Sequence, residues 1–283
     1  MKPIAFAANP RRMGYRELFR VAGPPKVGIL ACLLKLFHLI GPMKDGFGMR
    51  SFGDRLDRLD IDSLPRRVLS ETRDYMSDLE DLGFTPCFAY SVTSYGSQEA
   101  HGIPHRHKTG VAAASVMYAR CVRDANETLT TVFGFNTPLV DDTYLITMGS
   151  KRLMTKPSHF LSEYMPGASP KAVFERHIER LEKAQALPRT IKNDDELERL
   201  VLGVENDDTE FNIDRGVYVR MSRSEIELGE ELQEEYQHGG GGGAAVGHPR
   251  KRKKDDDEDE DEDDFDDEDR DDEDDDDEYD RHR

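Results

Sequence analysis

Phe84-Thr-Pro-Cys-Phe-Ala-Tyr-Ser-Val-Thr93 opens the stretch on which the fold class turns. Its β-branched and aromatic side chains suit a pleated, half-buried surface. Residues 111–122 and 128–135 repeat that character on either side of Arg123-Asp-Ala-Asn-Glu127, a turn by composition. Thr143-Tyr-Leu-Ile-Thr-Met148 is the fourth such segment, entered through Val140-Asp-Asp142. Four strands joined by polar links predict an antiparallel meander with one face on a core. The polar residues up to Lys108 read as one of those links.

Both flanks of the meander are helical in pattern. On the N-terminal side Leu64, Val68, Leu69, Thr72, Tyr75, Met76, Leu79 and Leu82 recur at intervals of three and four, with Arg66, Arg67, Arg73, Asp74, Asp78 and Asp81 opposite them. Asp62 or Ser63 can cap this helix, Pro65 falls in its first turn, and Gly83 suits the position just past its end. On the C-terminal side Ser169 and Pro170 start a helix with Val173, Phe174, His177, Ile178, Leu181 and Ala184 on one stripe, closed by Pro188. Helices packed on one face of the meander give an α+β fold of two layers. Residues 194–205 and 224–237 predict two more helices, opened by Asp194, Asp195 and by Ser224, Glu225, which suit the positive end of a helix. Residues 216–220 add a short strand between them.

Charge divides the chain further. Its formal net charge is −19, but residues 239–283 hold 23 acidic and eight basic side chains, whereas residues 1–55 hold three acidic and ten basic ones. The tail begins with Gly239-Gly-Gly-Gly-Gly243, passes Arg250-Lys-Arg-Lys-Lys254 and continues into ten consecutive acids. Five apolar residues in such a tail cannot offset its ordering entropy, so it is expected to be a disordered acidic tail. The acids beside the basic run screen it as a polyanion-binding patch. The organisation is therefore a basic, partly apolar N-terminal region (1–55), an α+β core domain (56–190), a helical C-terminal extension (191–238) and a Gly linker with acidic tail (239–283).

Within the first region, Val27-Gly-Ile-Leu-Ala-Cys-Leu-Leu-Lys-Leu-Phe-His-Leu-Ile40 is the one long apolar run. As a helix it reaches about 21 Å, short of a hydrocarbon core of roughly 30 Å, and it carries Lys35 and His38. Arg11, Arg12, Arg16, Arg20, Lys26, Lys44, Arg50 and Arg55 frame it. Two placements compete. A stretch of this length usually packs in a core, so the expectation here is a buried helix packed on its own domain or on a partner. Alternatively it lies in an anionic membrane interface or on a protein partner, with Lys26, Leu30, Leu33, Leu34, Lys35, Phe37 and Lys44 as contacts.

The order Leu82-Gly-Phe-Thr-Pro86, meander, Asp142-Thr-Tyr-Leu-Ile-Thr147, then Met165-Pro-Gly-Ala-Ser-Pro170 entering a helix with Phe174 and His177 resembles an uncharacterised bacterial α+β domain. The likeness covers about residues 63–187. It departs at Thr143, where that pattern has glycine first, and in the His-rich insertion at 101–107. The resemblance implies a fold class and a bacterial origin; that group has no established activity, so it assigns no catalytic residue.

Chemistry concentrates in His101-Gly-Ile-Pro-His105-Arg-His107. Three imidazoles in seven residues can offer nitrogens to zinc or a similar divalent metal, although a solvated basic loop accounts for them as well. His177 sits on an apolar stripe and reads as a core histidine rather than a base. His159 precedes Glu163 at helical spacing without a second ligand pair. Cys87, between Phe84 and Phe88, reads as packing, and Asp141-Asp142 as turn residues. Cys32, Cys87 and Cys121 form no Cys-x-x-Cys pair, which suits free thiols in a reducing cytoplasm. No secretory or lipidation signal is read, and no Walker loop, GxGxxG, HExxH, GxSxG or helix-turn-helix pattern appears. No cofactor is expected beyond that metal, and no specific nucleic-acid binding.

Three readings follow. The leading one is a non-enzymatic cytoplasmic binding module, peripheral to an anionic membrane or bound to a protein partner through its N-terminal region. The second is a metal-binding protein or hydrolase-type enzyme that uses the His loop with residues from the sheet. The third is a polyanion mimic or chaperone whose tail takes basic proteins as partners.

Overall fold

The computed structural model describes residues 3–37, 39–41, 48–96, 98–123 and 126–238. Strands β8 (Ala113–Arg123), β9 (Asn126–Pro138) and β10 (Tyr144–Met148) run antiparallel, each beside the next, where the sequence places strands. On the other side of β8 lies β7 (Gln98–His107), paired from Gln98 opposite Cys121 to Arg106 opposite Ala113. The expected polar link is therefore a central strand. Pro104, Gly102 and the imidazoles disguise it, since Pro and Gly normally argue against a strand interior.

The partner side of β7 explains how Pro104 is accommodated. The first expected strand splits into β4 (Phe84–Pro86), paired to His105–His107, and β5 (Ala89–Ser91), paired to His101 and Gly102. Pro104 faces the break between them. Its carbonyl accepts from Cys87 N–H at 3.0 Å, and it has no registered ladder partner in β4 or β5. Strand β3 (Arg58–Leu59) adds to β5, and β11 (Phe160–Tyr164) pairs with β10 in parallel, completing an eight-stranded sheet. Gly102 stands opposite Tyr90, and a Cβ there would lie 2.3 Å from the buried ring. Gly102→Ala is expected to lower stability by about 1–3 kcal/mol by overpacking. An unchanged thermal midpoint would show that Tyr90 has another place to go.

Both faces of this sheet are apolar, and both are covered. Ala114, Val116, Tyr118, Phe133 and Phe135 face α3 (Arg66–Asp81) and α4 (Pro170–Glu182), which bring Val68, Leu79 and Val173. Ala113 and Met117, on the opposite side of β8, meet Leu197, Leu200 and Val201 of α5 (Asp194–Asp214). The fold is α+β as expected, yet it is layered helix–sheet–helix, because strands apolar on both faces require cover on both. The segment expected as an extension thus supplies a core layer, and its helix runs on past residue 205 to Asp214.

Helix ends follow local rules with one displacement. Ser169 Oγ accepts from Ala172 N–H and Pro170 opens α4, while Gly83 takes φ 87° just past α3. For α3 the expected cap shifts upstream. Asp60 caps a 3₁₀ turn over Ile61–Ser63, and Pro65 is the residue that enters the helix.

A second, four-stranded sheet joins the ends of the described chain. Its order is β12 (Tyr218–Arg220), β1 (Ala5–Ala8), β2 (Gly48–Arg50), β6 (Ser94–Tyr95). Segments 1–55, 56–190 and 191–238 each contribute strands to it, and they belong to one compact unit. Helix α6 (Arg223–His238) is tied to this edge by Gln233, whose side chain bonds the backbone of Gln98. The Gly linker and acidic tail lie outside the described residues, as do His38 and Lys44.

Candidate functional site

Helices α1 (Tyr15–Val21) and α2 (Pro25–Leu36) form a hairpin on the smaller sheet. They meet at Gly28, where a Cβ would lie 2.8 Å from the Phe19 ring, so a small residue is what lets them cross. Ala31, Cys32 and Ile40 complete the inner contacts, against Met13, Leu18 and Val217. The inward positions 28, 31, 32 and 35 recur at helical spacing and carry small or polar groups. Lys35 belongs to this face. Its ammonium bonds the Met13 carbonyl and lies 4.8 Å over the Tyr15 ring, so this expected contact is used inside the hairpin.

The outward face of α2 is the apolar one. Val27, Ile29, Leu30, Leu33 and Leu36 are about half exposed, Phe37 is 66% exposed and Leu39 72%. Leu34 is half-buried and Lys26 exposed. Tyr15, Phe19 and Val21 of α1 extend the same kind of surface. The expectation of a helix buried against its own domain is overturned: large side chains of the run point away from the body, since its small residues are what fit against α1. Arg11, Arg12, Arg16 and Arg20 are exposed on or before α1. The one acid within residues 3–41 is Glu17, and it is buried. Contiguous exposed apolar area bounded by cations is the pattern of an interaction surface.

Glu17 fixes the hairpin to the body. Its carboxylate accepts from Gly14 N–H at 2.7 Å, Thr155 N–H at 2.6 Å and Arg215 at 2.6 Å. Burial alone would raise its pKa, but the bonds from Arg215, Thr155 and Gly14 outweigh burial and hold it down to about 2. The carboxylate stays charged and docked throughout the neutral range.

The three candidate metal ligands are on β7 rather than in a loop, and they do not converge. His101 Nε2 lies 3.0 Å from Glu99 Oε1 and its Nδ1 3.0 Å from Ser91 Oγ. His105 is fully buried and donates from Nδ1 to the Ile103 carbonyl at 2.8 Å; burial pushes its pKa down to about 4. His107 packs between Phe84 and Phe174 with Thr109 on its Nδ1, and burial and Lys108 lower its pKa. His101 and His107 are about 20 Å apart along the strand, at roughly 3.3 Å per residue. Among the described residues no three His, Cys, Asp or Glu side chains gather into a set that holds a metal ion.

His177 is a filled core histidine. It donates from Nε2 to Thr137 Oγ1 at 2.9 Å, because the Thr137 hydrogen is given to the Val111 carbonyl. The Thr147 hydroxyl donates to Nδ1 at 2.9 Å and its oxygen accepts from Arg180. Burial and the Arg180 charge depress its pKa to about 3. Both nitrogens are spoken for, so it is no base. His159 pairs with Asp207 of α5 instead of Glu163, which binds Arg176. Cys87 packs with the α5 layer, and burial with Asp194 pushes its thiol up to about 11. Asp141 bonds Thr143 N–H and Oγ1, and Asp142 takes φ 61° in the same turn.

Several of these residues were not readable from the chain. Tyr15, Phe19, Ile29, Leu36 and Leu39 join the exposed surface only once α1 and α2 are folded together. The contact of Ser91 with His101 depends on strand register. Comparison with protein-family models, curated proteins and solved structures gives no match. Among the described residues no helix is long and apolar enough to cross a membrane.

Proposed function

We propose that the protein is a binding module that docks on anionic membrane surfaces by laying the α1–α2 hairpin in the lipid interface. The observation that carries this is the outward apolar stripe of Ile29, Leu30, Leu33, Leu36 and Phe37, bounded by Lys26, Arg16 and Arg20 with no exposed acid among residues 3–41. An α2 of 12 residues spans about 18 Å, too short to cross but long enough to lie in the plane. Apolar insertion and attraction of lysine and arginine to acidic headgroups act on the same surface, the latter worth about 1 kcal/mol per cation. A cytoplasmic, membrane-associated location belongs to this proposal, as does descent of residues 63–187 from the bacterial α+β domain they resemble. The tail, with its charge of −15, is on this reading a disordered solubilising segment.

The test is co-sedimentation of the full chain with phosphatidylcholine vesicles, with and without phosphatidylserine, at low and high salt. Binding is expected with phosphatidylserine and should weaken as salt rises. Leu33→Asp should reduce it roughly tenfold or more, since a half-exposed leucine offers about 1–1.5 kcal/mol of insertion and a charge opposes it. Lys26→Glu should weaken binding at low salt and matter less at high salt. A supernatant fraction unaffected by phosphatidylserine overturns the proposal. So does a surface that instead joins two copies, seen as a concentration-dependent dimer that Leu33→Asp abolishes while vesicles bind nothing.

A further inference from the structure

Ser91, His101 and Glu99 form a hydrogen-bonded line across β5 and β7. Ser91 and His101 are directly opposite in the antiparallel register, and Glu99 is two residues along the same face. The distances are 3.0 Å from Ser91 Oγ to His101 Nδ1 and 3.0 Å from Nε2 to Glu99 Oε1. The carboxylate accepts a hydrogen, which fixes the neutral ring as the Nε2–H tautomer and leaves the Nδ1 lone pair facing the serine hydroxyl. The imidazole is the most enclosed of the three: the His101 side chain is 10% exposed and that of Glu99 23%, while Ser91 lies at the surface. Beside the imidazole stands Tyr118, opposite His101 on β8, with ring centroids 6.4 Å apart. Its buried hydroxyl is a donor that no described residue accepts.

We infer that Ser91 is a nucleophile activated by His101 and that the protein hydrolyses small carboxylic esters at this strand pair. Nucleophile, base and orienting carboxylate are all within hydrogen-bond reach, with the two ring nitrogens exchanged relative to the usual serine-hydrolase arrangement. Ser91 Oγ bonds to the ester carbonyl carbon while its proton passes to Nδ1, and Glu99 stabilises the resulting imidazolium. Collapse breaks the bond to the leaving alcohol, which departs with that proton. Water then attacks acyl-Ser91 with His101 as base, releasing the carboxylic acid and restoring the hydroxyl. Ser91 and His101 are the catalytic residues, and Glu99 is a positioning residue. Ser91 sits on the strand surface, which admits short acyl groups presented from solvent. This site is separate from the hairpin and does not depend on membrane docking.

The experiment uses the full chain without lipid, with a fluorophosphonate probe and p-nitrophenyl acetate as substrate. One label per chain is expected at Ser91 by peptide mapping, together with hydrolysis that Ser91→Ala abolishes. His101→Gln should slow labelling by 10²-fold or more, the scale of a lost general base. Glu99→Gln should slow it less, and Glu99→Asp should recover part of the loss, which a residue needed only for folding would not do. Ser91→Ala changes an exposed side chain, so its thermal midpoint should match the wild type. Absence of label on the wild type, label that persists in Ser91→Ala, or equal labelling rates with and without His101 overturns the inference.

Discussion

Replacing Leu79 with Asp is expected to destabilise the protein by roughly 3–5 kcal/mol, enough to unfold a domain of ordinary stability. Leu79 is fully buried between α3 and the sheet, in contact with the cluster of Phe84, Phe133, Phe135 and Val173. The substitution removes that packing and places a carboxylate in a buried apolar cluster. Asp78, one residue earlier, is exposed, and Asp78→Ala should change stability by no more than about 0.5 kcal/mol. The contrast can be read from urea unfolding of the two variants. Equal shifts at both positions would show that the phase of α3 is wrong.

The second large effect lies at Glu17. Glu17→Ala leaves Arg215 and the Gly14 and Thr155 amides without their acceptor, and breaking a buried pair in this way costs roughly 3–5 kcal/mol. Its pH dependence has a definite sign. The folded pKa is about 2 against an ordinary 4.5, so the unfolded chain takes up protons more readily as the pH falls. The carboxylate's contribution, about 3 kcal/mol, is fully present above the unfolded value and is lost as the pH drops through 4.5 toward 2. Glu17→Gln keeps an acceptor but has nothing to titrate. The difference in thermal midpoint between wild type and Glu17→Gln should therefore be largest near neutrality and shrink below pH 4.5. A constant difference across that window would place Glu17 outside the acid transition.

These predictions divide along the line between what was and was not legible in the chain. The phase of α3 was readable because one face of a solvated helix repeats at three and four residues, and α4 declared itself through Ser169 and Pro170. Strands β8 to β10 stood out by β-branched and aromatic content. The α2 run offered no such contrast: with apolar residues on every side, length alone argued for a core. The overlooked signal was size, because Gly28, Ala31 and Cys32 share one face and leave the bulky residues on the other. Nothing in the chain singles out Glu17, since its partners Thr155 and Arg215 are distant in sequence. The Ser91–His101 contact was hidden for the same reason: it exists only in one alignment of β5 with β7.

That alignment has its own guard. A strand that slips by one residue turns every side chain to the opposite face of the sheet, away from the helix layer it fits, and packing rejects the error. Slippage by two residues keeps every side chain on its own face, so alternation is blind to it. Pro104 is not blind. At its present place it faces the gap between β4 and β5; shifted two residues in one direction, it would stand where Gly102 pairs with Tyr90, and in the other where Arg106 pairs with Thr85. Either shift sets a nitrogen without hydrogen against a strand that expects a donor, and one of them also drives a ring into Tyr90. The residue that made β7 look unlike a strand is thus a proofreading device for the sheet, and it keeps Ser91 opposite His101.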